Sequence, residues 1–234
     1  MNTETVRSIF EKICNMQDSL NYLINPNWKS QNANFRLAAS QEMAELIDCY
    51  PWKWWKKHEA SPFYQTQLEV IDIAHFLIAD MLMVFSKPEI VASFLTDSFS
   101  ATRLPKSTNE QEIINELYAQ HRKILTASSL HMGGVICDLM HLHDIGLEMF
   151  NKTYLSKNCL NIFRLKNGYR EGSYQKQWLV PNSSNTSFTL REDNVFLENI
   201  VNGIDDWTKP HIADHLFKRL EEDYLQYGRR AECV

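Results

Sequence analysis

Apolar residues recur at every third or fourth position along most of this chain, a spacing that places them on one face of a helix. The pattern predicts helices over residues 3–24, 34–49, 63–85, 109–126, 130–150, 151–164, 192–202 and 211–226. The helix over 63–85 is the most apolar, and we expect it to be the most deeply buried. No stretch shows the alternation of apolar and polar residues that is typical of a half-buried strand. The pattern therefore predicts an all-α helical bundle.

Two segments do not follow the helical spacing. Pro88 and Pro105 bracket a stretch for which the pattern predicts no definite element. From Lys166 to Thr189 the chain is polar, contains Gly and Ser, and has no period, which is typical of a loop. We therefore expect one domain over residues 1–234: a rigid helical body with a mobile segment at 166–190 that covers the ligand.

Composition and charge narrow the class of protein. Hydrophobic residues at 44% and charged residues at 23% are ordinary for a globular chain. A net charge of −5 argues against a nucleic-acid binder, although a small polyanionic substrate needs only local cations. The five cysteines are widely spread without a CxxC, so no zinc ribbon or disulfide framework is indicated. With neither a signal peptide nor a membrane span in the pattern, we expect a soluble intracellular protein, cytoplasmic or nuclear.

Two pairs of carboxylates lie on successive predicted helices. Glu42 and Glu45 share one helix face at a spacing of three residues, and Glu69 and Asp72 repeat this spacing. One such pair alone is common on a solvated helix face. Two pairs on helices this apolar are candidates for the interior, where four carboxylates would repel one another. Hard divalent cations such as Mg²⁺ or Mn²⁺ would relieve that repulsion, so the pattern favours a metal site.

Polar residues on two other predicted helices could contact a polyphosphate or the edge of a base. Lys157, Asn161 and Arg164 form one helical stripe that could bind phosphates, although a basic stripe alone is more often a solvated face. Gln17 and Asn21 offer two amides on one face of the first helix, which by itself is better explained as a polar surface.

Two histidines raise other possibilities. His75 follows Asp72 at the spacing of half a di-iron site, but the second Glu-x-x-His that such a site requires is missing. His143 and Asp144 form the pair used by helical metal-dependent phosphohydrolases, and a polar helix end explains them more simply.

Four segments together resemble the dimeric all-α dUTPases of the all-α nucleoside triphosphate pyrophosphatase superfamily. They are MQDSLN at 16–21, QEMAELIDCYPWKWWK at 41–56, LEVIDIAHF at 68–76 and SKNCLNIFRLKNGYREGSYQKQW at 156–178. The carboxylate pairs are shared across the superfamily, whereas the first and last segments are specific to dUTPases. Residues 86–150 match poorly and are expected to be a family-variable helical segment.

The resemblance implies a homodimeric enzyme that uses more than one Mg²⁺, or Mn²⁺, to hydrolyse dUTP and dUDP to dUMP. Such an activity limits the incorporation of uracil into DNA, with neither nucleic acid nor membrane as a partner. It also implies a role for each matching residue. The metal ligands would be Glu42, Glu45, Glu69 and Asp72, with Glu42 by preference, or Glu45, also activating the attacking water. The base and deoxyribose would be held by Gln17, Asn21, Trp54 (or its neighbours Trp52 and Trp55), His75 and Phe76. The phosphates would be held by Lys157, Asn161, Arg164, Tyr169 and Lys176.

Three points stay open. Ala74 departs from relatives that often carry Trp before His-Phe, which would loosen the sugar pocket. A relative acting on dCTP or on several dNTPs, or a regulatory protein with a dUTPase body, would keep many of the same residues. The segment 166–178 is expected to close over the nucleotide as a lid, and the alternative is a fixed connection held by its aromatic residues.

Overall fold

A computed structural model describes residues 1–57, 61, 63–101, 109–181 and 188–228. Within these residues the protein is all-α, as predicted, with one small sheet. The helices are α1 (Thr3–Ile24), α2 (Phe35–Asp48), α3 (Phe63–Phe85), α4 (Pro88–Ala101), α5 (Glu110–Thr126), α6 (Met132–Leu142), α7 (Leu147–Lys166), α8 (Asp193–Asn202) and α9 (Ile212–Asp223). The strands are β1 (Gln177–Pro181) and β2 (Phe188–Glu192). None of the described helices combines the length and the apolarity that a membrane crossing requires.

The bounds of α1 and α3 agree with the prediction, but the single helix expected over 130–150 is wrong. The chain leaves α6 after Leu142, and Asp144 adopts a left-handed conformation with φ of 54° before α7 begins. The segment after Pro88, for which no element was predicted, forms α4. Pro88 is its first residue, where a fixed φ and a missing N–H are tolerated, and Val91, Ala92 and Leu95 bury its inner face.

The strands were not expected, and the prediction of a structureless loop is wrong where they form. In the antiparallel pair, Trp178 lies opposite Arg191 and Val180 opposite Thr189. All five residues of β2 are exposed, and in β1 only Trp178 is fully buried. Because this hairpin is held by backbone pairing and not by one buried face, the alternation that identifies a strand is absent. The part of the expected loop at 182–187 lies outside the described residues.

The described chain divides into two compact units, Met1–Tyr154 and the residues from Leu155 onward, so one domain stays a prediction. In the first unit, α3 is the central helix, with fifteen buried residues, and it packs against α1, α2, α4 and α6. In the second unit, aromatic rings pack around Tyr224. They belong to Phe163, Tyr174 and Trp178, and the ring of Phe196 packs against Trp178 at a tilt of 45°.

Candidate active site

The packing of α2 against α3 brings three of the four predicted metal ligands together. One carboxylate oxygen from each of Glu42, Glu69 and Asp72 lies within 4.8 Å of the other two. Glu69 is buried, while Glu42 and Asp72 are half-buried. The three-residue spacing on α3 places Glu69 and Asp72 on the face that meets α2. Glu45 is exposed and lies outside this group of three.

The electrostatics of this cluster favour a bound cation. The pKa of Glu69 is raised to about 7, first by burial and then by the charges of Asp72, Glu45 and Glu42. A hydrogen bond donated by the amide of Gln65 acts in the opposite direction. Glu45 thus contributes negative charge to the site although its oxygens lie further out. Oxygen donors in this number and this proximity fit a hard divalent cation, whose charge would remove the repulsion.

The amides expected to contact a base lie in a buried chain of hydrogen bonds on α1. Gln17 is 3% exposed and Asn21 is 6% exposed. The Nε2 of Gln17 donates to Oδ1 of Asn21 at 2.9 Å, and the hydroxyl of Tyr154 donates to Oε1 of Gln17 at 2.6 Å. Tyr154 also stacks on His75, with ring centroids 4.0 Å apart and planes 2° apart. The structure therefore brings Gln17, Asn21 and His75 together through Tyr154.

Of the aromatic residues expected in the base pocket, His75 and Phe76 lie against the interior of the first unit, whereas Trp54 is exposed. His75 is buried, and its Nδ1 donates to the carbonyl of Ile71 at 2.8 Å, which fixes the orientation of the ring. Phe76 is partly buried against the core of the first unit. Trp54 is 90% exposed and contacts the ring of Trp55, so its described contacts do not bring it to Gln17, Asn21 or His75.

In the second unit, the cations expected to contact phosphate are held by residues of α8. Arg164 forms a bidentate pair with Asp193, with Nε and Nη2 at 2.8 and 2.7 Å from the two carboxylate oxygens. Its Nη1 lies 3.4 Å from Oδ1 of Asn161. Lys157 is buried and donates to Oδ1 of Asn194 at 3.1 Å. Both cations thus have partners within the protein.

The remaining two residues of this set lie on the surface. Lys176 is exposed, and its ammonium group lies 5.4 Å from the ring centroid of Tyr169, which is itself exposed. This is a cation–π contact between two exposed side chains.

A family model for dUTPase matches residues 9–169, more than half of the chain. This chain belongs to the all-α dUTPase family. The resemblance inferred from the sequence is thereby confirmed, and the protein is a nucleotide pyrophosphatase of the dUTPase type with dUTP diphosphatase activity. A search of curated proteins found no match. The matched range contains every expected site residue of this dUTPase except Lys176; their individual roles stay predictions.

Two residues of this dUTPase that sequence reasoning missed are Tyr154 and Asp193. Tyr154 lies in the apolar stripe of α7, where its spacing indicates only a core residue, yet its hydroxyl carries the hydrogen bond to Gln17. Asp193 follows Glu192 at the start of α8, and two acidic residues there are commonly explained as favourable charge at a helix N-terminus. No local spacing indicates that Asp193 is fully buried against Arg164.

Proposed function

We propose that this dUTPase-family protein hydrolyses dUTP to dUMP and pyrophosphate, and dUDP to dUMP and phosphate, in a reaction that depends on Mg²⁺. This would limit the dUTP available to be incorporated into DNA as uracil. The observation that carries the proposal is the cluster of Glu42, Glu69 and Asp72 in a chain that matches the dUTPase family.

The metal would be held by Glu42, Glu69 and Asp72, with Glu45 as the fourth carboxylate. Support comes from the proximity of the oxygens and from the raised pKa of Glu69, which shows how strongly the site opposes further negative charge. Bound Mg²⁺ or Mn²⁺, with more than one ion per site, would neutralise phosphate charge and lower the pKa of a water molecule.

The protein's own groups would supply the base and the charges around the phosphates. We assign the general base to Glu42, because it is half-buried and belongs to the close cluster, with Glu45 as the second candidate. Phosphate contacts are assigned to Lys157, Asn161, Arg164, Tyr169 and Lys176. A guanidinium carries five N–H donors in a fixed fork, and the pairing with Asp193 holds that fork of Arg164 in one orientation.

The base would be recognised by the amides of Gln17 and Asn21. His75 and Phe76 would line the base and sugar pocket, and we assign Trp54 to the same pocket from the family resemblance. We also propose, from that resemblance, that two copies of the chain form a homodimer. Its mass in solution would be twice the 27.4 kDa of one chain, which sedimentation equilibrium measures.

The test is the release of pyrophosphate from dUTP, dCTP, dTTP and dATP by the purified protein, with Mg²⁺ and after its removal with EDTA. We expect turnover of dUTP well above the other three, and none without the divalent cation. Equal turnover of dCTP would assign the protein to a broader pyrophosphatase activity. No release from any of the four nucleotides would contradict the proposal.

A further inference from the structure

The buried hydroxyl of Tyr154 gives a direction to the chain of hydrogen bonds on α1. Burial raises the pKa of Tyr154 well above its ordinary value, so the hydroxyl keeps its proton and can donate it. Its acceptor is Oε1 of Gln17 at 2.6 Å. A carbonyl oxygen can accept this proton and an amide nitrogen cannot. With the Gln17 amide reversed, the buried hydroxyl proton would have no acceptor among the described residues, so Tyr154 favours the orientation in which Oε1 of Gln17 faces it.

The orientation of the Gln17 amide in turn sets the orientation of the Asn21 amide. With its oxygen facing Tyr154, Gln17 presents Nε2 to Asn21, and this nitrogen donates to Oδ1 of Asn21 at 2.9 Å. Asn21 must then present Nδ2 on its other side. That Nδ2 is fully buried and makes no hydrogen bond with any group in the described part of the chain. A buried donor without an acceptor lowers the stability of the folded protein, and an acceptor on a ligand would remove this cost.

A donor that meets C4 of the base distinguishes two pyrimidines. Uracil carries a carbonyl oxygen at C4, which accepts, whereas cytosine carries an amino group there, which donates. An Asn21 whose Nδ2 meets C4 of the base therefore pairs with uracil and opposes cytosine. If the two amides turned over, Asn21 would present its oxygen and the preference would be reversed. The amide groups of Asn and Gln are nearly symmetrical in shape, so only their hydrogen-bond partners decide between these orientations.

We propose that Tyr154 is a specificity-determining residue, which selects uracil over cytosine by fixing, through Gln17, the direction of the Asn21 amide. Tyr154 is a positioning residue here, because it acts through two other side chains. This inference rests on the proposed dUTPase function and deepens it by naming the origin of base selection.

The variant that tests the proposal is Tyr154→Phe, which removes the hydroxyl and keeps the ring that stacks on His75. We expect the ratio of kcat/KM for dUTP to kcat/KM for dCTP to fall by about tenfold, the scale of one lost hydrogen bond. The loss should lie mainly in the KM for dUTP, because the base is held equally in the ground and transition states. Tyr118→Phe, on the exposed face of α5, is the matched control and should leave the ratio unchanged.

A double-mutant cycle separates this role from a structural one. Gln17→Ala removes the link between Tyr154 and Asn21, so adding Tyr154→Phe to it should reduce the ratio no further. Binding of dUMP and of dCMP, measured by calorimetry, gives the same ratio without turnover. The proposal is overturned if Tyr154→Phe lowers kcat/KM for dUTP and for dCTP by the same factor, so that their ratio stays within about twofold of the wild-type ratio. It is also overturned if Tyr154→Phe reduces the ratio further in the Gln17→Ala background. A wild-type protein that shows no preference for dUTP would instead contradict the proposed function itself.

Discussion

Glu69 shows the effect of burying a carboxyl group among other carboxylates. Its pKa rises from 4.5 to about 7, because burial and the charges of Asp72, Glu45 and Glu42 all oppose ionisation. Between these two pH values the metal-free native protein holds a proton that the unfolded chain has lost. Raising the pH through this window therefore lowers the free energy of unfolding, and above pH 7 the full cost of the ionised group remains.

Replacing Glu69 by Gln should remove this cost in the metal-free protein. At pH 8 in EDTA we expect Glu69→Gln to be more stable than wild type by about 1–3 kcal/mol. The difference should shrink as the pH falls toward 4.5, the ordinary pKa of the group. Urea unfolding at a series of pH values measures both, with the exposed Glu89→Gln as the control. If the difference in the free energy of unfolding between Glu69→Gln and wild type does not change with pH, the ionisation of Glu69 does not cause it.

Glu45→Ala and Asp72→Ala test the metal assignment through activity. Each should abolish turnover of dUTP while the far-ultraviolet circular dichroism spectrum stays helical, because a ligand is lost and little packing changes. Losing one of four clustered negative charges also relieves repulsion in the metal-free protein. Glu89→Ala, on the exposed face of α4, should retain full activity. Activity within about tenfold of wild type in both variants would refute the assignment.

The sequence was informative about those residues whose arrangement is local. Glu69 and Asp72 lie on one face because they are three residues apart in a helix, and the strong apolar pattern of α3 predicts that helix. The hydrogen bond between Tyr154 and Gln17 joins residues 137 positions apart. Helical spacing shows which residues share a face, and it does not show which other helix that face meets. Tyr154 could therefore be assigned only to the core.

The first turn of α8 is held by the most completely buried ion pair described in the second unit. Asp193 accepts from Nε and Nη2 of Arg164 and from the hydroxyl of Tyr174, at distances of 2.7 to 2.9 Å. The side chains of Arg164 and Asp193 are only 10% and 1% exposed. The pair thus fixes α8 against α7 and against the segment that carries Tyr174.

Asp193→Ala should destabilise the second unit strongly. Removing one partner of a buried pair leaves the Arg164 charge uncompensated, which costs about 3–5 kcal/mol. Asp193→Asn keeps an acceptor and should cost less. Urea unfolding followed by circular dichroism measures these losses, and Asp205→Ala, at an exposed position, is the control. Equal stability of Asp193→Ala and the control would show that the pair contributes nothing.

Helices were predicted better than the other elements because a helix is defined by contacts within its own sequence. The break between α6 and α7 depends on one left-handed residue, Asp144, which the apolar spacing does not reveal. The hairpin depends on pairing between Gln177–Pro181 and Phe188–Glu192, which are separated along the chain and mostly not buried. Apart from α4, what the pattern missed depends on a distant partner or on the conformation of a single residue.

At the scale of the whole molecule, the segment expected to act as a lid, residues 166–178, contains side chains that are buried against neighbouring elements. Tyr174 is buried against Phe163 and Tyr224, and Trp178 is fully buried against Phe196. The carbonyl of Lys176 accepts a hydrogen bond from the backbone N–H of Asp193. These contacts agree with the fixed-connection interpretation for residues 174–178. Arg170 and Glu171, by contrast, lie in an exposed turn.

Trypsin should therefore distinguish the two parts of this segment. Without ligand we expect fast cleavage after Arg170 and slow cleavage after Lys176, because the second site is held by Trp178 and Asp193. Mg²⁺ with a non-hydrolysable dUTP analogue should slow cleavage after Arg170, if ordering of the turn accompanies binding of the phosphates by Tyr169. Mass spectrometry of the fragments identifies each cut. Equal rates at Arg170 with and without ligand would refute closure of this turn.

The β-hairpin of the second unit also bears on how the protein behaves when it is concentrated. A sheet of two strands leaves an outer edge on each, and such edges can pair with a strand of another molecule. Here each strand is only five residues long, β1 ends in Pro181, and β2 carries Arg191 and Glu192. Short length, a proline and charged side chains all oppose pairing between molecules. The hairpin can therefore remain at the surface without becoming a starting point for aggregation.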